Sequence, residues 1–182
     1  QNTSSSLVQA KFNSTHVDFL MPPLSPLELT AGFLGGAITR GVIVAVISGI
    51  GIQLSGLADL SVVHVWPIVW FSLTAAIILG ALGAMGGIWA DKFDHLSAVT
   101  NFVIVPLTFL SGTFYDIKVM KEPFLTMAHL DPFFYMIDGF RYGFIGVANS
   151  SVTTGVIVTG VLSVLSTGAV WWMFRTGYKL KA

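Results

Sequence analysis

Long apolar windows almost free of charge recur along this chain, and they restrict what it can fold into more than any other feature. A bilayer core about 30 Å thick is crossed by roughly 20 apolar residues in a helix. Four windows meet that requirement, at about 33–58, 65–90, 97–117 and 152–174. A soluble core built from 182 residues has no room to hide them, so they predict an all-α integral membrane protein with one domain over residues 1–182. Composition agrees: 54% of residues are hydrophobic, 10% are charged and the mean hydropathy is +0.79. A soluble globule carries about a quarter of its residues as charges.

Several classes of function fall away. The formal net charge is zero and no basic block occurs, so nothing here would attract nucleic acid. With no cysteine, disulfide frameworks, iron–sulfur clusters, thiolate zinc sites and thiol catalysis are excluded together, while the redox compartment stays open. The chain has no GxxxxGK[ST] phosphate loop, no HExxH, no GxSxG and no dinucleotide-type glycine fingerprint. It is therefore expected to bind no cofactor and to draw its energy from elsewhere. His16 with Asp18, and Asp91 with Asp94 and His95, lie beside predicted membrane surfaces, where solvated polar residues are ordinary, and no metal site is predicted from them. The windows hold essentially no carboxylates or histidines for a proton relay, which disfavours ion-coupled transport. The opening QNTSSSLVQAKF lacks the basic start and short apolar core of a signal peptide, and the chain reads as starting inside a longer protein. Asn2, Asn13 and Asn149 begin Asn-x-Ser/Thr triplets, read as chance occurrences in a chain rich in Ser and Thr.

Residues 1–25 read as a cytoplasmic interfacial segment. Thr15 and Asp18 have the spacing of a weak capping box, and Phe12, His16, Phe19 and Leu20 share one face of a short surface helix, which Pro22 and Pro23 end. Ser25-Pro26-Leu27-Glu28 is a stronger start signal, with Ser as N-cap, Pro at the first helical position and Glu reaching back from the third. A helix from Pro26 through the first window is longer than the hydrocarbon needs, so its first turns project beyond it and Arg40 falls at the cytoplasmic edge of residues 41–58. Gly32 with Gly36, and Gly83 with Gly87, have the GxxxG spacing that lets helix backbones approach closely. Trp66 and Trp70 at one end of the second window and Trp89 at the other fit the aromatic belts of a spanning helix.

With the amino terminus inside, Lys11, Arg40, Lys92, Arg175, Lys179 and Lys181 are cytoplasmic and Lys118, Lys121 and Arg141 external, the sense that the positive-inside rule favours. Both chain ends are then cytoplasmic, and residues 118–151 form the one long external segment. Its dense aromatic and aliphatic content, from Phe124 to Phe144, does not suit a solvated loop, and it is expected to dip back into the membrane. Pro106 predicts a kink in the third window, with the chain turning after Tyr115 and with Pro123 and Pro132 dividing a re-entrant helical pair.

Two stretches resemble a known family. PLTFLSGTFYDIKVMKEPFLTMAHLDPFFYMIDGFRYGFIG, from Pro106, and NSTHVDFLMPPLSPLELTAGFLGGAITRG are similar to the membrane subunits of ABC-2 type transporters. The nearest subgroup is the bacterial multidrug, nodulation-factor and polysaccharide export permeases. The Leu110–Thr113 step, with Pro132, Phe133, Tyr135 and Arg141, falls where the family signature puts it.

The resemblance implies a type V exporter-like transmembrane domain, with four of six spans present, a coupling helix and a re-entrant pair. It implies a bacterial inner-membrane permease that dimerises, expected as a homodimer, and works with a separate ABC ATPase that holds the ATP and Mg. Thr15, His16, Val17, Asp18 and Phe19 are then the ATPase-coupling residues. Ser111, Gly112, Pro132, Tyr135, Asp138 and Arg141 belong to the external gate, and the implied cargo is amphipathic, lipid-linked or drug-like and moves outward. One alternative is a membrane-embedded enzyme acting on lipid or lipid-linked sugar through Asp131, Asp138 and Arg141; another is an assembly subunit that keeps the fold only as an anchor.

Overall fold

Helix α1 (Pro26–Ser55) begins where the sequence predicts, because the capping box closes. Ser25 N–H donates to Glu28 Oε2 at 2.7 Å while Glu28 N–H donates to Ser25 Oγ at 3.3 Å, satisfying two backbone donors that a helix start leaves open. The helix ends at Gly56, whose φ of 66° is the left-handed conformation that glycine adopts without a Cβ penalty.

The structure is a computed structural model that describes residues 24–56, 61–90, 92–112 and 124–179. Regular structure among the described residues is entirely helical. After α1 come α2 (Val65–Trp89), α3 (Phe93–Val99), a π-helical stretch (Thr100–Ile104), α4 (Val105–Leu110), α5 (Phe124–Leu130), α6 (Pro132–Ile145) and α7 (Val152–Thr176). Among the described residues, α1, α2 and α7 are long and apolar enough to cross a membrane. Their bounds track the windows expected at 33–58, 65–90 and 152–174. At 30 residues α1 is about 45 Å long, so it overruns the hydrocarbon as expected.

The window expected at 97–117 instead forms the helical run 93–110, about 27 Å long, and the turn at Ser111 and Gly112 follows it. Proline explains its interior. Pro106 has no N–H to continue the ladder, and just before it the helix widens into the π turn, with Val105 N–H donating back to Thr100 O.

Small residues set the packing. Helix α1 runs antiparallel to α2, crossing it where a Cβ on Gly80 would come within 2.7 Å of Ala37 Cβ and where Gly41 faces Ala76. Helix α7 runs parallel to α2: Gly155 faces Phe71 near their starts, and Phe174 and Val170 join Ala81, Ala84, Ile88 and Leu34 in the buried core nearer their ends. Phe33 of α1 stacks on Phe174 at 5.6 Å between centroids. Gly87 is buried in this packing, whereas Gly32 and Gly36 are exposed with nothing within 4 Å of a Cβ, so the packing expected of that pair is not made among the described residues. Most of the surface of α1 from Val42 to Leu54 is exposed aliphatic side chain, as suits a helix facing lipid.

Gly139→Ala should destabilise the chain by about 1–3 kcal/mol, since the added methyl meets a ring that cannot retreat, whereas Gly32→Ala should be neutral or slightly stabilising. Thermal unfolding of the purified full-length permease in detergent tests the contrast, and equal losses at the two positions would contradict this packing.

Candidate functional site

The candidate site is the α5–α6 pair and the spans that hold it. Helix α6 begins where the sequence predicts, on Pro132, and α5 is described from Phe124. Pro132 occupies the first helical position, where a missing N–H costs nothing, and Asp131 is the N-cap, with Oδ1 accepting from Phe133 N–H at 2.9 Å. Tyr135 reaches back across the elbow between the two helices, donating its hydroxyl to His129 O at 2.9 Å.

Three sets of contacts fasten α6 to the spans. Its Gly143 O accepts from Val63 N–H at 3.0 Å and His64 N–H at 2.9 Å, and the His64 ring stacks on Tyr142. One turn earlier, a Cβ on Gly139 would collide with the ring of Phe71. From His64 to Phe71 is about 10 Å along α2, so α6 runs antiparallel beside the first turns of a spanning helix rather than lying across its end.

The third fastening is Asp138, which is 2% exposed. Its carboxylate accepts from Arg141 Nη2 at 3.0 Å, from Asn149 N–H at 2.9 and 3.0 Å, and from Ser150 N–H and Ser150 Oγ at 2.9 Å each. The Asn149 and Ser150 donors lie in the link that leads into α7, so one buried charge joins α6 to the start of the last span. Both oxygens are fully engaged. Arg141 thus pairs with Asp138, but the backbone donors eleven and twelve residues away are the larger share of its coordination.

Ser111 and Gly112 are both buried, at the end of α4, which packs against α5 and α6. Ser111 Oγ donates to Thr108 O at 2.6 Å, and Gly112 has a φ of 76° that reverses the chain out of the helix. The gate residues thus fall into two groups, Ser111 and Gly112 with the elbow, and Asp138 and Arg141 with the α6–α7 link. The coupling residues Thr15, His16, Val17, Asp18 and Phe19 lie outside the described residues. Sequence reasoning missed Gly139, Gly143 and Gly155, although Gly139 and Gly143 have the same GxxxG spacing as the pairs it singled out. It also missed Thr159, which is fully buried, accepts from Trp70 Nε1 at 3.3 Å and ties α7 to α2.

A cavity of about 540 Å³ opens between α1, α2 and α7, lined by Leu27, Leu34, Ile77, Val164 and Trp171 among others. Among the described residues no group of three or more His, Asp or Glu comes together as a metal site would require.

Asp138→Ala should cost about 3 kcal/mol, because it strands Arg141 and two backbone N–H groups. Arg141→Ala should cost about 1 kcal/mol, since that side chain is 32% exposed and its charge is partly solvated. The order of the two losses in thermal unfolding checks the assignment, and an Arg141→Ala loss as large as that of Asp138→Ala would overturn it.

Residues 1–145 match the ABC-2 type transporter family. The chain is 34% identical over 168 residues to proteins named inner membrane transport permease YadH from Escherichia coli strain K12 and from Shigella flexneri. The alignment covers 89% of this chain and 63% of each relative, so the chain spans under two thirds of their length. No solved structure matches it.

Proposed function

The chain belongs to the ABC-2 type transporter family, and from that premise we propose that it is most of the permease subunit of an ATP-driven exporter in a bacterial inner membrane. The match over residues 1–145 carries this reading. The relatives' name, inner membrane transport permease, supports the location and the non-catalytic role.

In this reading the chain binds neither ATP nor Mg; both belong to an ABC ATPase that docks on the segment holding Thr15, His16, Val17, Asp18 and Phe19. Closure of two ATPases moves two permease copies, expected as a homodimer, between inward and outward states. Such coupling needs contacts that differ in strength between the states. The starts of α2, α6's carboxyl end and the start of α7 form the external end, and the starts of α1 and the ends of α2 and α7 the cytoplasmic one. Lys179 supports that sense: its Nζ donates to Trp89 O at 3.0 Å, at the end where basic residues collect.

Helix α6, lying beside the first turns of α2, acts as the re-entrant piece that closes the path externally. The uncharged spans favour an amphipathic, lipid-linked or drug-like passenger. The saturated carboxylate of Asp138 argues against the enzyme alternative, which needs that group free to meet a substrate.

Purification of the full-length permease with candidate ATPases, comparing wild type with Asp18→Ala and Phe19→Ala, tests the proposal. Stable capture that weakens at least severalfold in the variants, with loss of ATPase stimulation, is expected; failure of the wild type to retain any ATPase would sink it.

A further inference from the structure

The elbow between α5 and α6 holds an ionisable group that the fastening of α6 does not use. Asp131 is 2% exposed. Its N–H donates to Ala128 O at 3.1 Å and its Oδ1 accepts from Phe133 N–H, but its Oδ2 is buried with no hydrogen-bond partner among the described residues. A carboxylate oxygen taken from water without a donor is costly, and protonation removes the charge and most of the penalty. Burial accordingly pushes this carboxyl above its ordinary value of 3.8, against the opposing pull of the Phe133 N–H.

The described surroundings supply no counter-charge. On α5 the ionisable group is His129, exposed, its ring edge-on to Phe134 at 5.3 Å. On α6 they are Tyr135, whose hydroxyl is given to His129 O, Asp138 with Arg141, which hold each other, and Tyr142, whose ring stacks on His64 toward the other end of the helix. Helices α2 and α4 carry no ionisable side chain, and α7 carries only Arg175, next to its far end.

We infer that Asp131 is a proton-binding site that latches the elbow: protonated, it lets α5 close on α6, and ionised, it drives the elbow open so that Oδ2 reaches water. This deepens the transport reading and rests on α5–α6 forming the gate. The sign follows from linkage. The closed elbow binds the proton more tightly than the open one, so closure weakens as pH rises from 3.8 toward the raised value and is constant above it. Across that window the open population rises by about tenfold for each unit by which burial lifts the group.

The chain has no cysteine, so Ala128→Cys places one reporter thiol at a fully buried site on α5 beside the latch. The full-length permease carrying it, with any cysteine outside this chain replaced, is reconstituted in vesicles with the same buffer on both sides and labelled with a permeant maleimide from pH 4 to 8. Asp131→Asn and Asp131→Ser, which keep an N-cap acceptor without a titrating proton, are run in parallel. The ratio of the labelling rate with Asp131 present to that of either variant should climb several-fold with pH and then level, the thiol's own titration cancelling. A ratio that stays flat would overturn the latch. Neither ATPase nor substrate enters the measurement, so this failure is separate from failure of the exporter reading.

Discussion

The ring of Phe71 sits where three helices meet, 1% exposed, with Gly139 of α6 on one side and Gly155 of α7 on the other. In lipid, apolar surface gains little by leaving the bilayer for a protein core, so helices associate through close packing and polar contacts. Glycines that let a large flat ring lie against two backbones supply the first of these. Trp70, one residue away, supplies the second through Thr159, and the backbone of Gly143 takes up the open N–H groups of Val63 and His64. Without this crossing α6 would have no reason to run along α2, and Asp138 would not meet the donors before α7.

Asp138 shows the complementary constraint. A buried carboxylate is tolerable only with its lone pairs filled, and four donor groups fill them. The effect is to make α6 and the start of α7 one unit across a short link. Asp131, about 10 Å of helix rise nearer the start of α6, has only half of its oxygens satisfied. One end of α6 is thus pinned and the other is costly to keep shut, which is the asymmetry a hinged gate needs.

Much of this was legible in the residues, and the parts that were not share a cause. Ser25 to Glu28 fixes a helix start through local hydrogen bonds, so sequence suffices, and Asp131 with Pro132 starts α6 for the same reason. Window hydropathy located α1, α2 and α7 because bilayer thickness dictates length. Over the 97–117 window Pro106 interrupts the regular ladder as expected, but it does so through a π turn, a widening that hydropathy does not record, and the described helix runs to Leu110. Which glycine faces which neighbour was hidden, because a spanning helix is apolar all round and carries no stripe to mark its inner side. Hence Gly32 and Gly36 were singled out and Gly139 and Gly143 passed over, though their spacing is identical. The partners of Asp138 at Asn149 and Ser150 depend on the tertiary path, which local spacing does not record.

Helix α6 is held as one body with the spans α2 and α7, which leaves movement to the α5–α6 elbow. Hydrogen–deuterium exchange of the full-length permease measures this directly. The amides of Asn149, Ser150 and the carboxyl half of α6 should exchange as slowly as those at the start of α2, with α5 markedly faster. Exchange across all of α6 as fast as in α5, beside a protected α2, would contradict it.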